Sequence, residues 1–185
     1  MSDPESPNAA SPGGAKDEAP KGETPETETP RRSDRVFLVV VDETPELKVA
    51  LLYACRRARA TGGRVALLHV MEPATFQHWM TVGELMQEES RQAAEQLLQK
   101  MAAEVNRLSG TMPILYLREG DRRDELLKLI EEEPSISILV LGAATGPKGP
   151  GPLISALTGK FVGRLRVPIT IVPGDLSVED IESIT

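Results

Sequence analysis

The residues best suited to chemistry lie in a loop of glycines and prolines that runs from Gly142 to Pro152. Four glycines fall within residues 142–151, and a helical pattern follows the loop. Backbone N–H groups in such a loop, together with those at the start of the next helix, can bind phosphate oxygens. The three prolines of the loop lack an N–H group, and its spacing fits neither a Walker loop nor a dinucleotide-binding Gly-x-Gly-x-x-Gly. The loop therefore predicts an anion site with an incomplete set of backbone donors.

Three further positions lie at the end of a predicted strand or after it, and each has two interpretations. The Asp42 carboxylate could accept a hydrogen bond from a base amino group or a ribose hydroxyl, or it could cap the turn that follows. The backbone of Val70 could meet a base edge, or Val70 could be an ordinary core residue. Gly120-Asp121 opens a helix whose free N–H groups suit an anion, unless the Asp121 side chain already caps them. Both interpretations stay open at each position.

The remaining reactive side chains give no catalytic arrangement. His69 lies inside an apolar strand, which favours a histidine satisfied by core or near-site hydrogen bonds over a catalytic base. His78 and Trp79 follow that strand and could form a lid, contact a partner or cover the sheet edge. Cys55 lies within a predicted helix with no histidine nearby in sequence, which favours an inert thiol. With one cysteine and two histidines, the sequence predicts no disulfide framework and no metal site.

Alternating strand and helix patterns predict the elements that position these residues. Runs of apolar and β-branched residues predict five strands, over 35–42, 64–71, 113–117, 136–142 and 167–172. Apolar residues at helical spacing predict four helices, over 45–61, 83–108, 122–133 and 153–165. Thr44 is the expected N-cap of the first helix. This order requires an α/β fold in which helices cover both faces of an open parallel sheet, with ligands at the carboxyl ends of its strands.

Charge is distributed unevenly along the 185 residues, whose formal net charge is −7. Residues 1–34 carry eight acidic and four basic side chains and none of Leu, Ile, Val, Phe, Trp or Tyr. This composition predicts a disordered leader that either solubilises the protein or recruits a partner. Residues 175–185 are expected to form a short acidic tail, which leaves a nearly neutral domain over residues 35–174. The sequence predicts a cytoplasmic protein that binds neither nucleic acid nor membrane, because it lacks a basic block, a secretory signal and an apolar span.

Four motifs in this order resemble the universal stress protein family over about residues 35–173. They are Val40-Val41-Asp42-Glu43-Thr44 at the end of strand one, Leu68-His69-Val70 at the end of strand two, Gly120-Asp121 after strand three, and Leu139-Val140-Leu141-Gly142 followed by Val167-Pro168-Ile169-Thr170-Ile171-Val172. The resemblance implies a single domain similar to the adenine-nucleotide α-hydrolases. It also implies the strand order 3-2-1-4-5.

The resemblance further implies a nucleotide site, because family members that bind ATP carry Gly-x-x-Gly-x9-Gly-Ser/Thr after strand four. Aligned without gaps from Gly142, this chain has Thr145 and Ser155 at the second and third glycine positions and Ala156 at the hydroxyl position. Side chains at the glycine positions crowd phosphate oxygens, because glycine is there for close approach. The expected site should therefore bind ATP weakly or not at all. It consists of the four motif residues Gly142, Thr145, Ser155 and Ala156 together with Asp42, Thr44, Val70 and Gly120.

A shifted frame is the alternative alignment of this motif. It matches Gly146, Gly149 and Gly159, but it ends in Lys160 and brings Gly159 closer to Pro168 than the family pattern has it. The ungapped frame is preferred because it keeps Leu157, Phe161 and Val162 on the apolar face of the following helix.

Three hypotheses for the function follow. The first is a non-enzymatic, homodimeric regulatory or stress-response protein that binds nucleotide weakly or not at all and has protein partners. The second is an ATP-binding switch of the same family, and the third is an adenine-nucleotide hydrolase. The family resemblance implies a dimer through strand five, whose edge residues are Ile169, Thr170, Ile171 and Val172.

Overall fold

The computed structural model describes residues 35–72 and 80–185, with the side chains of residues 80–85 outside the description. The predicted leader and the predicted loop residues His78 and Trp79 thus lie outside the described residues. Strands and helices alternate along the chain as β1 (Val36–Val40), α1 (Leu47–Thr61), β2 (Arg64–Met71), α2 (Met80–Ser109), β3 (Ile114–Glu119), α3 (Arg122–Glu132), β4 (Ile136–Ala143), α4 (Pro152–Thr158), a 3-10 turn (Val162–Arg164), β5 (Ile169–Pro173) and α5 (Val178–Ile184).

The five strands form one sheet in which every pair of neighbours is parallel, in the order β3-β2-β1-β4-β5. The predicted fold class and strand order are confirmed. All five residues of the central strand β1 are buried, as expected of a strand that is covered on both faces. Its first residue, Val36, pairs with Arg64 and Ile136, which are the first residues of β2 and β4. Because the three strands are parallel, their carboxyl ends lie at the same edge of the sheet.

Helices cover both faces of the sheet, and the alternation of side chains along β1 divides the core between them. Val36, Leu38 and Val40 belong to a cluster that includes the buried residues of α3 and α4. Phe37, Val39 and Val41 belong to a second cluster, formed with α1 and α2. Because successive side chains of a strand point to opposite faces, one run of six residues, Val36 to Val41, supplies the centre of both clusters.

The helix α2 is the longest element, with 30 residues, and it begins three residues before the predicted start at position 83. Ala94, Leu98, Ala102 and Val105 form its buried stripe, and their spacing of three and four residues fits one face of a helix. Among the helices of residues 35–72 and 80–185, none is both long and apolar enough to cross a membrane.

The predicted helix over 153–165 is wrong in its second half. α4 ends at Thr158, and Gly159 and the 3-10 turn follow it, because glycine weakens a helix. Leu157 is buried as expected, but Val162 is 58% exposed. Phe161 is half-buried, with the Arg123 guanidinium 4.5 Å from the centroid of its ring. The apolar helical face therefore ends with Leu157.

Residues 175–185 contain a packed helix, α5, where the sequence predicted an acidic tail. Ser177 and Asp180 form a capping box, in which each side chain accepts a hydrogen bond from the backbone N–H of the other. Ile181 is 1% exposed, and Glu182 forms an ion pair with Arg56 of α1. Acidic residues in the first turn of a helix interact favourably with the positive end of the helix dipole. The acidic residues from which a tail was predicted therefore stabilise this helix instead.

Candidate functional site

Two clefts open at the carboxyl ends of the strands, the place where ligands bind in open parallel sheets. The first cleft, of about 190 Å³, lies between the ends of β1 and β4 and the start of α4. The second cleft, of about 690 Å³, lies between the ends of β1 and β2 and the helix α2. Asp42, Thr44 and Arg122 line both clefts, so the two form one candidate site that meets at these three residues.

Asp42 caps the turn after β1 and also faces the clefts. Its Oδ1 accepts hydrogen bonds from the Thr44 backbone N–H at 3.1 Å and from the Thr44 hydroxyl at 2.7 Å. The prediction that Thr44 is the N-cap of α1 is wrong, because the helix begins at Leu47 and Glu46 is in the cap position. Both turn contacts use Oδ1, which leaves Oδ2 as the oxygen that a ligand hydroxyl can approach.

Gly142 lies in the first cleft, where the sequence analysis expected it, but its close neighbour is the chain itself. A Cβ on Gly142 would stand 2.5 Å from the carbonyl oxygen of Glu46 and 2.9 Å from its Cβ. The lack of a side chain at Gly142 therefore permits the start of α1 to pack against the end of β4. The prediction that glycine is present there for close approach to phosphate has a competing structural explanation.

The rest of the glycine-rich loop contributes few donors to the first cleft. Pro150 and Pro152 line the cleft without an N–H group. Gly151, between them, has φ +104°, a conformation that side chains rarely adopt. The Ser155 hydroxyl donates to the Gly151 carbonyl at 2.9 Å, within the first turn of α4.

Three of the predicted motif residues lie beside the clefts and not in them. Thr145 and Ser155 are exposed and Ala156 is half-buried. None of the three belongs to the described lining of either cleft. Their predicted contact with nucleotide stays a prediction.

His69 and Val70 lie in the second cleft at the end of β2. The ring nitrogen Nδ1 of His69 is 2.9 Å from the Val41 carbonyl oxygen and must donate to it, because a carbonyl only accepts. This contact matches the interpretation of His69 as a satisfied near-site residue. Val70 is 3% exposed and belongs to the core, although it also lines the cleft.

The start of α3 has few free backbone donors for an anion. The Asp121 carboxylate accepts hydrogen bonds from the N–H groups of Arg123 and Asp124, at 3.1 and 3.0 Å. The Gly120 N–H donates to the Met71 carbonyl oxygen at 3.0 Å. The interpretation of Asp121 as an N-cap is confirmed, and Gly120 links β3 to β2.

Arg122 is a site residue that sequence reasoning missed. It is the first residue of α3, it lines both clefts, and its Nη2 lies 3.7 Å from Oε1 of Glu72. Its only sequence signal was its position directly after the strand-three exit Gly120-Asp121. Around it the clefts are acidic, because Asp42 and Glu46 line the first and Asp42, Glu43 and Glu72 line the second.

Cys55 and the metal-ligating side chains add nothing to these clefts. Cys55 is fully buried in α1, and burial, with a smaller contribution from the charge of Glu104, raises the pKa of its thiol to about 12. A thiol with this pKa stays protonated at neutral pH, in agreement with the prediction of an inert cysteine. Within the described ranges, no group of three or more His, Cys, Asp or Glu side chains could hold a metal ion.

Comparison with known sequences decides the family. Residues 35–173 match the sequence profile of the universal stress protein family. The chain belongs to the universal stress protein family. The match begins at the start of β1 and stops at the end of β5, so the helix α5 lies beyond it. A comparison with functionally curated proteins finds no match.

Solved universal stress proteins share the fold of this family member. UspA from Lactobacillus plantarum has a TM-score of 0.62 and 15% identity, over 75% of this chain and 97% of that one. A family protein from Burkholderia pseudomallei has a TM-score of 0.59 and 18% identity, over 78% and 99%. A universal stress protein from Archaeoglobus fulgidus, solved in complex with dAMP, has a TM-score of 0.52 and 15% identity, over 75% and 97%. At these identities the likeness establishes the fold alone.

Proposed function

We propose that this universal stress protein is a non-enzymatic regulatory or stress-response protein whose clefts bind ATP weakly or not at all. The proposal deepens the family assignment, which by itself leaves nucleotide binding open. Its support comes from the contents of the first cleft, the space next to the glycine-rich loop.

The contact between Glu46 and Gly142 carries the proposal. The Glu46 backbone and Cβ occupy the space that the lack of a side chain at Gly142 would otherwise leave for a phosphate oxygen. The acidic residues Asp42 and Glu46 line the same cleft, and Pro150 and Pro152, which also line it, offer no N–H group. A triphosphate in this cleft would be repelled by the negative charges and would find few hydrogen-bond donors, and both effects disfavour its binding.

Three local hydrogen bonds, two at Asp42 and one at His69, support a binding role over a catalytic one. The Asp42 carboxylate is engaged by Thr44, and Nδ1 of His69 is engaged by the Val41 carbonyl. Nδ1 of His69 is occupied by a backbone carbonyl, and the Thr44 hydroxyl that donates to Asp42 lies two residues away, in the turn that Asp42 caps, which is the usual setting of such a local contact. A hydrolase remains the competing hypothesis, and steady release of phosphate that is lost in Asp42→Ala would establish it in place of the present proposal.

Calorimetric titration with ATP and Mg²⁺ tests the proposal. The expected dissociation constant is about 1 mM or weaker, the low end of measurable affinity. Glu46→Gln should strengthen ATP binding because it removes a negative charge from the first cleft, whereas Glu131→Gln, on the exposed side of α3, should leave it unchanged. Micromolar binding to the unmodified protein would contradict the proposal and favour the ATP-binding switch.

We also propose that the protein forms a homodimer through β5. β5 is an edge strand, and its Ile171 is 41% exposed. Ile169 and Thr170 are half-buried, so they can contribute contacts at the same edge, whereas Val172 is buried within the subunit. An apolar edge strand that a second copy covers is protected from indiscriminate pairing.

A further inference from the structure

We propose that Arg122 selects nucleotides with a single phosphate, by binding that phosphate at the junction of the two clefts. This inference rests on the proposed function, because it assigns a ligand class to the same site. The ligand is a nucleoside monophosphate whose nucleoside occupies the second cleft.

Arg122 has the position and the free donors that this role requires. Within the described lining of both clefts, it is the one side chain with a permanent positive charge. Its ion pair with Glu72 spans 3.7 Å, beyond hydrogen-bond distance, and the Glu72 side chain is 70% exposed. With respect to the described residues, the planar guanidinium therefore keeps its paired N–H groups for a phosphate, which it fits in a two-bond geometry.

Three of the neighbouring backbone donors are already used, so the side chain of Arg122 is the main phosphate partner at this junction. Asp121 accepts from the N–H groups of Arg123 and Asp124, and Gly120 donates to Met71. The helix N-terminus is therefore not itself the site. Asp42 is adjacent in both clefts, and its carboxylate can accept a bond from a ribose hydroxyl.

The sizes and charges of the clefts limit the ligand to one phosphate. The second cleft, at about 690 Å³, falls within the range of about 300–1,000 Å³ typical of small-molecule sites, whereas the first, at about 190 Å³, falls below it. A longer phosphate chain would extend from Arg122 into the first cleft, whose lining includes the acidic residues Asp42 and Glu46. One guanidinium can bind one phosphate group with two hydrogen bonds, but it leaves the charge of further phosphates uncompensated.

Titration of the full chain with AMP, adenosine, ATP and inorganic phosphate tests the inference. AMP should bind about tenfold more tightly than adenosine, the gain expected of one charge-assisted phosphate contact, and more tightly than ATP or phosphate alone. Arg122→Gln should remove the advantage of AMP and leave adenosine affinity unchanged. Glu72→Gln should increase AMP affinity several-fold, because it removes the competing carboxylate.

Arg123→Gln is the matched control, because it removes the same charge one residue further along α3. Arg123 stacks on Phe161 and lies outside the described lining of both clefts, so this variant should bind AMP as the unmodified protein does. Thermal unfolding of each variant verifies that it is folded.

The following outcomes would contradict the inference. It is overturned if AMP binds no better than adenosine, if Arg122→Gln keeps the preference, or if both arginine variants lose it equally. Phosphate that binds as tightly as AMP would identify a free-anion site instead. All of these results leave the proposed function intact, whereas micromolar ATP binding would contradict the proposed function itself.

Discussion

Gly142 and Glu46 are far apart in the chain, but their contact determines what the first cleft can hold. The Glu46 carbonyl lies where a side chain at position 142 would stand, so the start of α1 and the end of β4 are joined backbone to backbone. The same pair connects two elements of the core and, as we propose, disfavours phosphate in the cleft. A single substitution at Gly142 should therefore change stability before it changes ligand binding.

Gly142→Ala is expected to lower the free energy of unfolding by about 1–3 kcal/mol, the usual cost of an overpacked site. The added Cβ would lie 2.5 Å from the Glu46 carbonyl oxygen, so α1 or β4 must shift. Urea denaturation measures the change. Gly146→Ala is the matched control, because a Cβ at Gly146 meets nothing within 4 Å and should cost little. Equal losses in the two variants would contradict this explanation of Gly142.

The edge of the sheet that carries the site could be predicted from sequence, but its contents could not. Asp42, Val70 and Gly142 lie at or just after the carboxyl ends of three strands, and these ends must meet at one edge of a parallel sheet, where the three residues are found. Glu46 and Arg122 were missed because their roles depend on where α1 and α3 begin relative to β4 and β2. Such contacts between distant residues leave no periodic pattern in one sequence.

At the scale of elements, strands buried on both faces were the easiest to predict, and the last helices were the hardest. β1 is an uninterrupted apolar run, because both of its faces are covered. α4 stops at Thr158 and α5 begins after Ser177, both at short segments where seven residues give too few turns for a clear period. In α5 a single buried side chain, Ile181, provides the apolar anchor.

Ile181→Ala is expected to lower the free energy of unfolding by about 2–4 kcal/mol, as for other fully buried isoleucines. The change removes the one buried side chain of α5, which is 1% exposed. Chemical denaturation of the full chain measures it. Ile184→Ala, in the same helix but at a residue 55% exposed, should change the free energy by less than about 0.5 kcal/mol. Similar effects of both substitutions would mean that α5 contributes little to the domain.

At the scale of the whole molecule, the described sheet has two edges that differ in what they offer a partner. β3 and β5 are the outer strands, and each has one exposed branched apolar side chain of similar exposure, Leu115 at 39% and Ile171 at 41%. Only β5 is expected to pair with a second copy. The two edges therefore supply a matched test of the proposed dimer.

Ile171→Lys is expected to convert the dimer to a folded monomer, because like charges would face each other across the two-fold axis. Leu115→Lys adds the same charge at the opposite edge and should leave the dimer intact. Sedimentation velocity measures the mass of each variant, and circular dichroism verifies its fold. A dimer that survives Ile171→Lys but dissociates in Leu115→Lys would assign the interface to β3.

Cys55 makes this protein convenient for site-specific labelling. It is the single cysteine of the sequence, it is fully buried, and its thiol is almost entirely protonated at neutral pH. Maleimide reagents attack thiolates, so they leave the folded protein unmodified. A second cysteine introduced at an exposed position, such as Thr145→Cys in the glycine-rich loop, would then take up a fluorophore alone. The buried Cys55 stays unmodified, and the fluorophore is attached at a single position beside the first cleft.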